Sequence, residues 1–263
     1  MKEKSKLFEI INDFFDQVYV INMERSKKRR DIIEERLQGL NFQFHRAVDG
    51  KELHLDQLEA EGLYHSKICK LLKKRRSVPA VDMPVERIAC ALSHRSVIEK
   101  AIAEKHDRIL VLEDDVTVFM DGADALAKAL SELPIDWDLL YLGHFGANSN
   151  PTRLLKFQSF LLSNFAKIVQ PFERMRIIDA EVIEGWFPRK YSTNLDHSGN
   201  QFGTHAYGLS SSGLKKLYGY LTPVVQEVDN MCGELCNYGW LNAFNTRQKI
   251  FYQDGEIPST IDD

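Results

Sequence analysis

The chain has 263 residues, enough for one well-packed domain or two small ones. With 44% hydrophobic and 27% charged residues its composition is that of an ordinary soluble globular protein, and a net charge of −4 argues against general nucleic-acid affinity. No run approaches the ~20 apolar residues that span a bilayer. Met1–Lys6 is polar and lacks the apolar core of a secretory signal, so a cytosolic chain with reduced thiols is expected.

In chain order, Leu7, Phe8, Ile10, Ile11, Phe14 and Phe15 recur at helical spacing and predict an amphipathic helix over 3–16, packed on the domain rather than anchored in a membrane. Val18–Ile21 reads as a first strand, a charged helix follows over about 26–40, and Phe42–Val48 reads as a second strand ending in the turn Asp49-Gly50. This β-α-β unit is the building block of a parallel sheet. No Gly-rich turn and no Walker sequence follows the first strand. Arg25, Lys27, Lys28, Arg29 and Arg30 stand there instead, against the macrodipole. That conflict is met either by an anionic partner such as a diphosphate or by a solvated basic face.

Lys67, Lys70, Lys73, Lys74, Arg75 and Arg76 are interleaved with Ile68, Leu71 and Leu72, the pattern of a segment that sits on an anionic membrane or of a solvated flap. A long helix is predicted over 85–105, with Ser93 and His94 near its centre. Another helix lies near 122–133, and a strand near 139–142. Residues 146–200 mix apolar pieces with prolines and suggest an inserted, substrate-facing region. Thr204–Leu209 is a further strand, Ser210 or Ser211 caps a helix reaching Tyr220, and Asp229 opens a last apolar helix through Trp240. Cys232 and Cys236 stand one turn apart with no nearby histidine. A structural zinc site needs about four ligands, so buried free thiols are expected.

The densest chemical signal is Ile109-Leu110-Val111-Leu112 followed at once by Glu113-Asp114-Asp115. An unbroken aliphatic run predicts a strand buried on both faces. Three carboxylates in one loop repel each other and cost desolvation, and a hard cation shared with substrate phosphates is the usual compensation. In open α/β sheets ligands bind beyond the carboxyl ends of strands, where these acids lie. A solvated acidic turn is the competing reading.

These landmarks resemble glycosyltransferase family 25. The resemblance is carried, in order, by Val20-Ile21-Asn22 with Arg25 and Arg29-Arg30, by Ala47-Val48-Asp49-Gly50, and by Cys90-Ala91-Leu92-Ser93-His94. It continues through Leu110–Val116, Trp137–Gly143 and Gly203–Tyr207. The family comprises bacterial lipooligosaccharide galactosyltransferases and their collagen-modifying relatives. The resemblance covers about residues 18–260 and implies a single GT-A-like α/β domain, with a mixed, mostly parallel sheet flanked by helices on both faces. It divides the chain into the N-terminal helix (1–16), a nucleotide-sugar-binding half (17–145) and an acceptor-side half (146–263).

The resemblance further implies transfer of a hexose, most often galactose, from a UDP-sugar to a saccharide hydroxyl with inversion, assisted by Mn²⁺ or Mg²⁺. Asp115 would bind the metal, with Glu113 orienting the ribose or a metal-bound water and Asp114 a third candidate. Asn22, Arg25, Arg30, Asp49, Ser93 and His94 would meet or hold the donor. Asp229 is the first choice for general base, with an N-cap as its alternative role. His205 is second, as base or metal ligand. Trp186, Tyr191 and His197 could stack on sugars. A lipid-linked acceptor at the inner membrane face, contacted through Lys67–Arg76, completes the expectation. A metal-dependent phosphoesterase using His144 and Asp138, and a non-catalytic binding module, are the alternatives.

Overall fold

The computed structural model describes residues 2–75, 82–145, 153–169 and 183–255. Its strands are β1 (Gln17–Asn22), β2 (Phe42–Arg46), β3 (Arg108–Glu113), β4 (Val116–Val118), β5 (Leu139–Phe145), β6 (Arg189–Lys190), β7 (Leu195–His197), β8 (Phe202–Ser210), β9 (Ala243–Thr246) and β10 (Phe251–Gln253). Eight form one sheet in the order β2-β1-β3-β8-β5-β9-β7-β6, and β4 pairs with β10 in a separate ribbon. β1 is parallel to β2 and β3, and β5 to β9, while β8 lies antiparallel between β3 and β5. All strands of the large sheet except β7 and β8 therefore point one way, as expected of a mixed, mostly parallel sheet.

The helices are α1 (Lys2–Phe14), α2 (Lys27–Arg36), α3 (Leu55–Ala60), α4 (Ser66–Arg75), α5 (Val85–Ala103), α6 (Ala123–Glu132), α7 (Arg153–Val169), α8 (Ser211–Tyr220) and α9 (Val228–Asn237). Alternation along β1 and β3 feeds two cores, one on each face of the sheet. Tyr19, Ile21, Ile109 and Val111 point to the face covered by α5, α8 and α9. Val18, Val20, Leu110 and Leu112 point to the face covered by α1, α2 and α6. The middle of β3 is buried throughout, which explains its unbroken aliphatic run, each such side chain contributing roughly 1.5–3 kcal/mol.

α1 packs as expected, since Leu7, Phe8, Ile11 and Phe15 are all buried. Phe15 lies so close to Gly208 that a Cβ there would come within 2.7 Å of its ring. Ser210 caps α8, its side chain accepting from the Gly213 amide. The last helix differs slightly from expectation: Glu227 is its N-cap residue, Asp229 lies inside its first turn, and it ends at Asn237. The cap role weighed for Asp229 is thus excluded. Asp138 is fully buried, paired with Lys216 at 2.6 Å and accepting from the Asn242 amide at 2.8 Å. It immediately precedes β5, which runs parallel to β3, and so lies at the opposite end of the sheet from Glu113-Asp114-Asp115.

Candidate active site

The acidic loop sits at the carboxyl end of β3. The parallel register sets Ile21 against Glu113, so the next residue of β1 reaches Asp114: Asn22 donates to its Oδ2 at 2.7 Å. From α2, Arg29 spans the loop, with Nη1 2.5 Å from Asp114 Oδ1 and Nη2 3.0 Å from Asp115 Oδ2. From β10, Gln253 also donates to Asp115 Oδ2 at 3.0 Å, and the Asp254 amide bonds the Asp115 carbonyl at 2.8 Å. Asp115 Oδ1 is buried and has no hydrogen-bond partner among the described residues. Glu113 turns the other way, with Oε1 3.5 Å from His94 Nε2 and accepting a long 3.4 Å bond from Thr204. His94 Nδ1 is in turn 2.9 Å from the Tyr207 hydroxyl.

These environments separate the three acids. Burial, reinforced by the neighbouring Glu113 charge, pushes Asp115 up to about 6. Burial also raises Asp114, against the opposing pull of Arg29 and Asn22. Burial acts upward on Glu113 too, but the His94 bond and charge, with His205 and Thr204, outweigh it and hold Glu113 below the usual carboxylate range.

The loop forms one wall of a cleft of about 900 Å³, its open mouth included. Arg25, Asp49, Ser93 and His94 line it with Glu113, Asp114 and Asp115. Ser93 accepts from the Val48 amide at 2.8 Å and donates to the Ala89 carbonyl at 2.7 Å, fixing the 47–50 turn against α5. Arg25 is bonded to Asp49 at the rim. The Lys51 amide and then Arg25 hold the Asp49 carboxyl below its ordinary value.

A second pocket adjoins the first, sharing Cys90, Glu113 and Gln253, and is lined further by Arg87, Thr204, His205, Glu227 and Asp229. Burial raises Asp229, with Glu227 adding to it against the Asn230 amide. Burial lowers His205, against the opposing pull of the Glu113 charge. Its ring lies against Gly143, where a Cβ would stand 2.4 Å from Nε2.

Of the donor, metal and base candidates, the fold gathers all but Asn22 and Arg30 around the two pockets. Asn22 is buried behind the loop and orients Asp114 rather than lining the cleft. Arg30 points away, its guanidinium 4.1 Å from the Phe44 ring centre and paired with Glu34 at 3.3 Å. Its neighbour Arg29, passed over as a site residue, holds the acids instead. Ile33, which is buried, stands four residues after Arg29 and three after Arg30, both within one turn, so the helical period alone does not choose between them. Gln253 gave no signal, lying 138 residues from its partner.

Trp186, Tyr191 and His197 line neither pocket. Tyr191 and His197 are engaged with each other and Phe244, and Trp186 packs near Ala166 and Ile183. Lys67–Arg75 does form the helix α4, where Lys70 pairs with Asp82 at 3.0 Å, while Arg76 lies outside the described residues. No helix among the described residues is long and apolar enough to cross a membrane. All four cysteines are free.

Among the described residues no three His, Cys, Asp or Glu side chains form a group that could hold a metal by themselves. The loop nevertheless fits a hard divalent ion of the Mg²⁺ or Mn²⁺ kind. Such ions take one or two carboxylates and draw their remaining ligands from water and substrate phosphates. Asp115 offers a buried carboxylate oxygen without a partner, beside two further acids. Glu113 has its Oε1 facing His94 and Thr204.

The sequence model described as "Glycosyltransferase family 25 (LPS biosynthesis protein)" matches residues 15–232. The chain is 34% identical over 136 residues to procollagen galactosyltransferase 2 of Homo sapiens, covering 49% of this chain and 21% of that protein. It is 26% identical over 251 residues to a glycosyltransferase 25 family member of Aedes aegypti, covering 89% of this chain and 33% of that one. The inactive glycosyltransferase 25 family member 3 of Mus musculus is 29% identical over 139 residues, 51% of this chain and 23% of that one. The chain thus spans between about a fifth and a third of the length of these relatives. With the family model matched from β1 into α9, across the acidic loop and the cleft it closes, this chain belongs to glycosyltransferase family 25.

Proposed function

We propose that this chain transfers a hexose, galactose in the first instance, from a UDP-sugar to a saccharide hydroxyl in lipopolysaccharide or lipooligosaccharide assembly. One observation carries the reading: the acidic loop stands between a cleft lined by Arg25, Arg29 and Asp49 and a pocket holding Asp229. The family description and the galactosyltransferases among its relatives support the choice of sugar and acceptor class. In this reading residues 17–145 carry the donor cleft and 146–263 the acceptor side, on a lipid-linked saccharide at the cytoplasmic face of the inner membrane.

In the reaction the bond between the anomeric carbon and the diphosphate oxygen breaks, and one to the acceptor oxygen forms on the opposite face. Asp229 takes the hydroxyl proton, and its raised pKa brings it toward the operating pH. His205 is the second candidate. Arg25 and Arg29 face the leaving diphosphate, whose charge grows as the bond breaks. Asp49 meets the ribose or base at the rim, with Ser93 and His94 fixing that wall. A divalent ion at Asp115 would supply Lewis-acid stabilisation of the departing UDP.

Calorimetric titration of UDP tests the donor site. The expected result is binding that strengthens at least tenfold with Mn²⁺ or Mg²⁺. Metal-indifferent binding would refute the metal assignment, and no binding at all would refute the donor site. The existence of an inactive relative favours one other reading, a binding module without turnover. UDP binding without UDP release in a screen of UDP-hexoses and saccharide acceptors would establish it.

A further inference from the structure

We propose that α7 seats the protein on the surface of an anionic lipid bilayer. The helix is packed the wrong way round for a surface helix of a globular domain. Its buried positions are Ser159, Ser163 and Ala166, with Ser159 donating to the Ile183 carbonyl at 3.3 Å and Ser163 to Glu184 at 2.7 Å. The opposite stripe, at i, i+3 and i+4 spacing, is Leu154, Phe157, Leu161, Phe165 and Ile168. Their exposures are 64, 56, 51, 55 and 70%. A helix stabilised by its own domain buries such a stripe, as α1 does with Leu7, Phe8 and Ile11. An exposed apolar patch of this extent marks an interaction surface.

Charge selects the occupant. The helix carries Arg153, Lys156 and Lys167 and no acidic residue, with Lys167 tied to Glu184 at 2.5 Å. A second copy docking α7 on α7 about a two-fold axis would bring these cations together. An anionic bilayer takes both parts at once, the aromatic and aliphatic stripe entering the headgroup boundary while the cations meet lipid phosphates. α4 repeats the combination more weakly, with Ile68 and Leu71 exposed beside Lys67. The proposal stands apart from the transferase reading, since it concerns a surface remote in composition from both pockets.

Flotation with phosphatidylglycerol-phosphatidylethanolamine vesicles, against phosphatidylcholine vesicles, tests it. The wild-type chain should bind the anionic vesicles at least tenfold more tightly, and salt should weaken that binding. Leu161→Gln combined with Phe165→Gln should lower it at least tenfold with an unchanged melting profile. Ile135→Gln, at a fully exposed site elsewhere, should leave it intact. Equal binding by the double variant, or no vesicle binding by the wild type, would overturn the proposal. So would a lipid-free dimer in sedimentation velocity that the double variant abolishes.

Discussion

Arg29 Nη2 lies 3.0 Å from Asp115 Oδ2, and this ion pair between α2 and the end of β3 closes the wall of the cleft. The same guanidinium holds Asp114, and it is only 12% exposed. Removing one partner of a buried pair leaves the other charge uncompensated, at a cost of about 3–5 kcal/mol. Protonation of Asp115, already pushed up to about 6, relieves part of that. Arg29→Gln should therefore destabilise the metal-free chain by about 2–4 kcal/mol, and Arg30→Gln by no more than ~0.5 kcal/mol. Urea unfolding of the two variants compares them directly, and equal losses would contradict the assignment.

The raised Asp115 also fixes the sign of a pH effect. Below 3.8 the carboxyl is protonated in folded and unfolded chain alike, and between 3.8 and about 6 only the folded chain keeps the proton. The unfolded state then binds fewer protons, so stability falls as pH rises through that window, by at most about 3 kcal/mol. Asp115→Asn removes this contribution. Relative to wild type, the variant should gain stability between pH 4 and 6.5 in urea titrations without added metal. A difference that stays constant with pH would show that Asp115 ionises normally.

Much of the architecture was legible because its signals are local. The unbroken aliphatic run of β3, the β-α-β start and the apolar stripe of α1 each follow from a period that a short window contains. The acids were legible as a group, since three adjacent carboxylates are unusual wherever they fall. Their partners were less so. Arg29 and Arg30 are chemically identical neighbours, both within one helical turn of Ile33, and no local pattern separates them. Gln253 reaches Asp115 through the β4–β10 ribbon, with Gln253 in register with Val116, a pairing no local pattern announces. The apolar stripe of α7, Leu154, Phe157, Leu161, Phe165 and Ile168, has helical spacing that the sequence reading passed over, and its outward orientation is a tertiary property that no local pattern announces.

Gly143 packs under His205, and a Cβ there would also lie 2.7 Å from the Phe251 carbonyl. Overpacking of this kind costs about 1–3 kcal/mol. Gly143→Ala should lose that much and disturb the second pocket. Gly219→Ala, in α8 with nothing within 4 Å, should instead gain ~0.5–1 kcal/mol. Thermal melts distinguish the two, and a neutral Gly143→Ala would remove the close approach.

Asp229→Asn keeps the size and the hydrogen-bonding edge of the side chain while abolishing its basicity. It should leave UDP binding unchanged and lower turnover by about 10²–10⁴-fold, the scale of general-base catalysis. His205→Gln should cost less than Asp229→Asn. The reverse order, in UDP-release assays at saturating donor, would pass the role of base to His205.

The central claim is that the acidic loop serves transfer from a UDP-sugar. Its most direct measurement is UDP release from UDP-galactose with Mn²⁺, with and without a saccharide acceptor, for the wild-type chain and for Asp115→Ala. The account predicts release that depends on acceptor and metal, and that falls to background in a folded Asp115→Ala chain. Full activity of that variant, or wild-type release that proceeds equally without acceptor, would contradict it.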